Sequence, residues 1–297
     1  MVTVTGEQPI PAAAIRPVPW VAIGWFATLI VVAYFPVLRF LVTIWATDED
    51  MGHGFFVPLV AGFIVWQRRE RLFAVDWKPA WWGVGVILWG IAQSYLGTLG
   101  AELFLQRTAV LITLLGVILV FGGVALVKEL AFPLLLLPFM IPLPTLIYTR
   151  ITFPLQIFAS VVAENILNLI NIPTLRDGNV LELPSQKLNV AEACSGIRSL
   201  LSLTFLSLVY AYFFDRRVWM RVVLFFATIP IAILANAGRV TVTGFLSEKV
   251  DPSLARGFSH ELEGWIIFMI ALAMLIALHA VLNRFLKKPP VEEAHPA

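Results

Sequence analysis

The feature that most constrains this chain is a succession of apolar runs of bilayer length, separated by short polar loops. Residues 197–214 are typical of these runs, since they are almost continuously apolar, and a membrane-spanning helix needs about 20 such residues. With 59% hydrophobic and 13% charged residues among 297, the chain is too apolar for a soluble domain and too long for a single anchor. The sequence therefore predicts an all-α, polytopic integral membrane protein.

The basic residues orient the predicted spans. The loops at residues 67–78 and 215–221 are rich in arginine, and the positive-inside rule places both in the cytoplasm. Successive spans must cross the membrane in alternating directions, so fixing these two loops in the cytoplasm predicts about eight transmembrane helices with both termini in the cytoplasm. The predicted spans cover residues 19–45, 55–66, 79–99, 108–127, 130–148, 197–214, 222–236 and 264–283.

Composition and charge also predict the limits of the membrane domain and the kind of partner it has. Residues 17–285 form one membrane domain, flanked by polar cytoplasmic tails at 1–16 and 286–297. The net charge of +2 is small and the basic residues lie in short loops, so nothing indicates nucleic-acid binding. The lipid bilayer is the partner that the composition itself indicates.

Two apolar segments are predicted to be irregular. Residues 130–148 contain several prolines, which favours a kinked or partly unwound helix. Residues 151–170 are apolar enough to span. However, a crossing here would place the arginine-rich loop at residues 215–221 outside the cytoplasm, against the positive-inside rule. This segment is therefore expected to lie in the interface or to be re-entrant. Its polar residues are Gln156, Glu164, Asn165 and Asn168.

Cys194 is the only cysteine, and it lies where an outer loop meets a membrane helix. Residues 178–190 alternate apolar and polar positions, as a short loop or strand segment in water would, and Ser195 is a candidate helix cap. The positive end of the helix and the nearby Arg198 favour a thiolate. A lone cysteine forms no internal disulfide, so position alone leaves two alternatives, a reactive thiol or a small buried apolar residue.

The predicted topology places Cys194, Arg239, His260 and His53 on the same outer side. A thiolate can attack a carbonyl, an imidazole can transfer the proton of the leaving amine, and a guanidinium can donate to the oxyanion. Taken alone, Arg239 and His260 also have simpler interpretations. Arg239 could be a snorkelling arginine at the membrane interface, and His260 could be an ordinary surface histidine.

Arg239 is a functional-site candidate because charge near an apolar span is unfavourable unless it is used. Asn236, Arg239 and Thr243 fall at helical spacing, which predicts that they share one helix face.

The remaining histidines and the acidic loop are assigned simpler roles. Asp48, Glu49 and Asp50 with His53 suggest a cation site, but a short solvated turn is favoured. His53 remains a candidate substrate contact at the mouth of a span. His279 lies deep in the last apolar run with no partner evident in the sequence, and is interpreted as structural.

Three motifs in order, Ala193-Cys-Ser-Gly-Ile-Arg-Ser199, Asn236-Ala-Gly-Arg239 and His260, resemble those of the exosortase and archaeosortase family. Gly52-His-Gly-Phe-Phe-Val-Pro58 adds to the resemblance, which runs over roughly residues 45–265. The resemblance implies Cys194 as nucleophile, Arg239 as oxyanion stabiliser and His260 as acid/base. The residues expected to bind substrate or support these are Arg198, Asn236, His53, Ser195 and Glu192.

The resemblance implies a membrane cysteine transpeptidase that needs no metal or cofactor. Its substrates would be exported, membrane-anchored proteins that end in a Pro-Glu-Pro signal, an apolar helix and a basic tail, often in connection with exopolysaccharide production. Histidine as the third member resembles the bacterial branch, which implies the inner membrane with the active site facing the periplasm. Any accessory function would come from another polypeptide, such as one encoded at the same locus.

Two other classes remain as alternatives. A transporter or flippase subunit for surface polysaccharide would use Arg239 and Arg198 to bind a lipid-linked anion. A membrane acyltransferase is less favoured, because no second nucleophile or acidic motif accompanies the histidine.

Overall fold

A computed structural model describes residues 20–190, 196–250 and 258–285. Within these ranges, the side chains of residues 49, 196–199 and 258–263 are outside the description. The chain divides into two compact units, Met1–Pro142 and Leu143–Ala297, and each is described by itself. Both are predominantly helical, as the apolar runs predicted.

The described part of the first unit consists of helices and 3-10 turns. In chain order they are α1 (Trp20–Ala33), α2 (Phe35–Thr47), a 3-10 helix (Glu49–Phe55), α3 (Phe56–Gln67), α4 (Arg69–Ala74), α5 (Gly83–Leu99), α6 (Leu103–Glu129), α7 (Ala131–Leu136) and a second 3-10 helix (Leu137–Met140).

The first predicted span is broken. α1 and α2 meet at an angle of 73° instead of forming one helix over residues 19–45. Pro36, in the first turn of α2, has no N–H to continue the α1 ladder. Tyr34 sits at the break, buried, and its hydroxyl forms a 2.6 Å hydrogen bond with Thr113 Oγ1 in the middle of α6. This contact holds the bend against α6.

α5 and α6 pack closely because glycines line their interface. Gly83, Gly90 and Gly97 of α5 are all buried, and their backbones lie against α6. From the other side, a Cβ at Gly116 would lie 2.8 Å from the backbone nitrogen of Ile87. Small residues let membrane helices approach until their backbones touch.

Gly116→Ala is expected to destabilise the protein by about 1–3 kcal/mol, because the added methyl has no space beside Ile87. The measurement is the unfolding midpoint in detergent. Gly85→Ala is the matched control, since a Cβ there meets nothing within 4 Å and alanine raises helix propensity by about 1 kcal/mol. Equal midpoints for the two variants would contradict a close-packed interface.

The proline-rich segment is irregular, as predicted. It forms α7, the second 3-10 helix and a non-helical stretch at residues 141–144 before α8 begins. The carbonyls of Phe139 and Met140, near its break, are satisfied by side chains. His53 Nε2 is 3.1 Å from the Phe139 oxygen, and Trp45 Nε1 donates to the Met140 oxygen at 2.9 Å.

The described part of the second unit contains a small sheet and four helices. Its described elements are α8 (Thr145–Leu169), β1 (Leu175–Asp177), β2 (Val180–Glu182), β3 (Lys187–Asn189), α9 (Gly196–Phe214), α10 (Val218–Lys249) and α11 (Phe258–Phe285). The strands form an antiparallel sheet in the order β1-β2-β3, with Leu181 opposite Leu188. Both leucines are buried in one core with Ala163 of α8 and Val240 of α10.

Residues 151–169 lie in α8, so the segment is not re-entrant, and its expected interfacial position stays a prediction. α8 is one continuous helix, long and apolar enough to cross a membrane. Three of the four polar residues that made the segment ambiguous contact the sheet region. The contacts are Asn179 Nδ2 to Gln156 Oε1 at 3.2 Å, Arg176 Nε to Glu164 Oε2 at 3.2 Å, and Thr174 N to Asn168 Oδ1 at 2.9 Å.

The described part of the structure contains fewer candidate spans, judged by length and composition, than the eight that the sequence predicted. Among the described residues four helices are long and apolar enough to cross a membrane, or five if the bent pair counts as one span. Three further apolar stretches are shorter, Gly83–Leu99, Ala131–Met140 and Leu200–Phe214, and the last is the part of α9 whose side chains are described.

A buried polar cluster joins α9, α11 and the loop before α10. Asp215 accepts from Arg217 at 2.6 and 3.0 Å, and its Oδ2 is 3.1 Å from His279 Nε2. The other ring nitrogen of His279 is 2.8 Å from the Tyr210 hydroxyl, and Arg217 also donates to Asn283. His279 therefore has partners distant in sequence, and these contacts support the structural role predicted for it.

Asp215→Asn is expected to lower stability by about 1–3 kcal/mol, because it leaves donors of Arg217 and His279 poorly paired. The Arg217 guanidinium holds the pKa of Asp215 well below its usual range. Since the folded pKa lies below the unfolded one, this stabilisation is present above about pH 4 and is lost as pH falls through the folded pKa.

The measurement is the unfolding midpoint at pH 7 and pH 3 for the wild type and both aspartate variants. Asp76→Asn is the control, because Asp76 is an exposed carboxylate beside Lys78. A fall in stability at pH 3 that is the same with and without Asp215 would show that this carboxylate does not cause it.

Candidate active site

Arg239 lies inside a long helix, not at the end of one. The apolar run was predicted to end at Asn236, but α10 continues to Lys249, about 15 Å beyond Arg239. Asn236, Arg239 and Thr243 are only 6%, 5% and 1% exposed, so the predicted common face is confirmed and faces the interior. Thr243 Oγ1 donates to the backbone oxygen of Arg239 at 2.9 Å.

The guanidinium of Arg239 lies against α11 at Gly264. A Cβ built at Gly264 would be 3.3 Å from Arg239 Nη2 and 3.4 Å from its Cζ. The missing side chain is what allows this approach. Position 260 is one helical turn before Gly264 in α11, and residues so spaced share a helix face. The structure therefore brings Arg239 to the face of α11 that carries His260, whose side chain lies outside the described residues.

The described part of the helix that follows the cysteine is α9, Gly196–Phe214. Cys194, Ser195 and Glu192 lie outside the described residues. Arg198 belongs to the first turn of α9, but its side chain is likewise outside them.

The described N-terminal turns of α9 and α11 lie level with the part of α10 that contains Asn236 and Arg239. A short loop joins the end of α9 to the start of α10, and the Asp215 cluster ties the far end of α11 to this loop. At the other end, Leu200 of α9 lines a cleft with Asn236, and Gly264 of α11 contacts Arg239, while α10 continues beyond both contacts. Glu248 in the last turn of α10 accepts a hydrogen bond from the Ser185 backbone at 3.2 Å, beside the sheet.

Asn236 lines a small cleft among α8, α9 and α10. The other residues of the cleft are apolar: Leu155, Leu200, Ile229, Ala232 and Ile233. Asn236 is thus a polar group on an otherwise apolar wall, one turn from Arg239 along α10, which fits the supporting role predicted for it.

His53 is held in the first unit by the contact with Phe139. Burial lowers the pKa of His53, so the ring is neutral at pH 7. The acidic residues before it form the turn that was predicted. Asp48 Oδ1 accepts from the Asp50 backbone at 2.8 Å at the start of the 3-10 helix. A substrate contact for His53 stays a prediction.

Residues 45–277 match the family model of transmembrane exosortases. The chain belongs to this family. Exosortases are membrane cysteine transpeptidases that sort membrane-anchored proteins, and this exosortase is a multi-pass membrane protein. The match confirms the family that the cysteine, arginine and histidine motifs indicated. No curated protein and no solved structure matches the chain significantly.

Proposed function

We propose that this exosortase cleaves the C-terminal Pro-Glu-Pro sorting signal of exported proteins and transfers them through a thioester on Cys194. Arg239 stabilises the oxyanion and His260 is the acid/base. The observation that carries the proposal is the position of the Arg239 guanidinium against the α11 face that includes position 260. One turn of helix thus separates the guanidinium contact from the proposed proton donor.

The reaction has two balanced halves. The Cys194 thiolate attacks the scissile carbonyl carbon, forming a C–S bond and an oxyanion that accepts hydrogen bonds from Arg239. The C–N bond then breaks as the His260 imidazolium gives its proton to the leaving amine. An acceptor amine or water next attacks the thioester and gives a proton to the imidazole, and the thiolate leaves.

Burial strengthens the role of Arg239. The side chain is 5% exposed, so the guanidinium acts in a low-dielectric environment where a developing negative charge is stabilised more than in water. Its position is set by helix packing and not by a mobile loop, which keeps reorganisation during the reaction small.

The substrate signal suits such a site. A Pro-Glu-Pro segment cannot continue the helix of its own membrane anchor, so its backbone is extended and its carbonyls are accessible. We place the site on the periplasmic side of the bacterial inner membrane, with both termini cytoplasmic and the membrane domain spanning residues 17–285. A role in exopolysaccharide-linked export is part of this proposal.

The supporting residues act around this centre. Arg198, in the first turn of α9, favours the thiolate, while Ser195 caps that helix and Glu192 precedes it. Asn236 offers a hydrogen-bonding group in the apolar cleft. His53 is a further candidate substrate contact.

The test is chemical capture of the thioester. A reporter protein ending in Pro-Glu-Pro, an apolar helix and an arginine cluster is incubated with membranes that contain the enzyme and with hydroxylamine. The expected product is a reporter that has lost its anchor and carries a C-terminal hydroxamate, detected by mass. The same reporter with Ala-Ala-Ala in place of the signal is the control. Cleavage without any hydroxamate, or no cleavage, contradicts the proposal.

A further inference from the structure

The guanidinium of Arg239 lies with its flat face against Gly264. A Cβ built at Gly264 would be 3.3 Å from Nη2, 3.4 Å from Cζ and 3.6 Å from Nη1. An approach within the plane of the fork would leave Cζ or one of the two nitrogens well behind the others. Because the three distances are nearly equal, position 264 lies over the face of the guanidinium and not at its edge.

The helix that carries Gly264 is fixed against α10 by tight packing. Ala235 of α10, one turn before Arg239, belongs to the same buried core as Ala271 and Leu275 of α11. Gly264, Ala271 and Leu275 fall at helical spacing, so they share one face of α11. The backbone at Gly264 is therefore a fixed wall beside the guanidinium.

The guanidinium has little space in which to retreat from this wall. Arg239 is 5% exposed, so neighbouring groups surround it. A methyl group at position 264 would be closer to Nη2 than a Cβ ordinarily lies to another atom, and the guanidinium would have to shift by a few tenths of an ångström. Hydrogen bonds weaken steeply when a donor moves out of line, so such a shift matters for a group that stabilises an oxyanion.

We propose that Gly264 is a positioning residue of the active site, whose bare backbone supports the face of the Arg239 guanidinium and directs its N–H donors toward the developing oxyanion. This inference rests on the proposed function. All the N–H donors of arginine lie in the plane of the fork. A contact over the face therefore sets the tilt of every donor without occupying any of them.

The experiment is a double-mutant cycle between positions 264 and 239, measured as kcat and KM for the Pro-Glu-Pro reporter in membranes. Gly264→Ala is expected to lower kcat about tenfold with KM unchanged, because a displaced donor weakens binding of the transition state alone. In the Arg239→Lys background, Gly264→Ala is expected to cost less than about twofold more, since lysine has no flat face to displace.

Gly244→Ala is the matched control for crowding between helices. Gly244 also lies in α10, and a Cβ there would be 2.9 Å from Leu167 Cδ1, with other atoms of Leu167 as its next neighbours. This variant is expected to keep the wild-type kcat. The unfolding midpoint in detergent is expected to fall no further with Gly264→Ala than with Gly244→Ala, and a larger fall would show a packing role and overturn the inference.

Each remaining outcome decides the question as well. A normal kcat with Gly264→Ala, an equal loss with Gly244→Ala, or the same tenfold loss in the Arg239→Lys background would overturn the inference and leave the proposed function intact. A loss confined to KM would show an effect on reporter binding and overturn it too. No cleavage of the reporter by the wild type would overturn the proposed function and the inference with it.

Discussion

Replacing Arg239 with lysine is expected to slow client processing on the order of a hundredfold, nearly as much as Arg239→Ala. An oxyanion donor acts only within hydrogen-bond distance of the developing charge, and losing one costs roughly a hundredfold or more in rate. Arg239 is buried against Gly264, so its planar fork is held in one place. Lysine keeps the charge but lacks that fork. The measurement is the rate of reporter cleavage in membranes.

Arg198→Lys is the matched control, since this arginine is also cationic and lies in the first turn of the helix that follows Cys194. Its proposed role is only to favour the thiolate through its charge, which lysine retains, so the change is expected to be mild. Near-normal cleavage with Arg239→Lys, together with failure of Arg198→Lys, would mean that the two arginines have been assigned the wrong way round.

Cys194→Ala is expected to reduce cleavage to the level of membranes that lack the enzyme. Without the thiolate no C–S bond can form, and loss of a nucleophile in covalent catalysis can cost on the order of 10⁶-fold. The measurement is the amount of uncleaved reporter in cells at matched enzyme levels, with Cys194→Ser as a second variant that keeps the side-chain size.

This variant also separates the enzyme from the transporter alternative. A flippase subunit that binds lipid-linked anions through Arg239 and Arg198 has no need of a thiol. It should therefore tolerate Cys194→Ala and fail with the arginine variants. Full surface-polysaccharide export and normal reporter processing with Cys194→Ala would exclude the covalent mechanism.

Several features of this exosortase follow from the sequence alone, because their causes are local. The apolar runs require helices in a membrane, since a spanning backbone must satisfy its own hydrogen bonds. The common buried face of Asn236, Arg239 and Thr243 follows from helical spacing. The three motifs with their order predicted the family.

Other features depended on partners that are far apart in the chain. Three polar residues of α8 look unsuited to a span until the sheet region supplies Asn179, Arg176 and Thr174 as their partners. His279 looks isolated until Asp215 and Tyr210 meet it from other elements. A buried ionisable residue in an apolar run was the available signal for that cluster.

The tertiary structure alone decided how Arg239 is placed. The sequence predicted the arginine near the outer end of a span, whereas α10 continues to Lys249 and packs Arg239 against Gly264. Hydropathy registers each residue's preference for lipid or water, but helix length, bends and close approaches depend on which distant surfaces meet. The motifs of this protein could therefore be recognised from its sequence, whereas the burial and contacts of their side chains arise only when the helices pack.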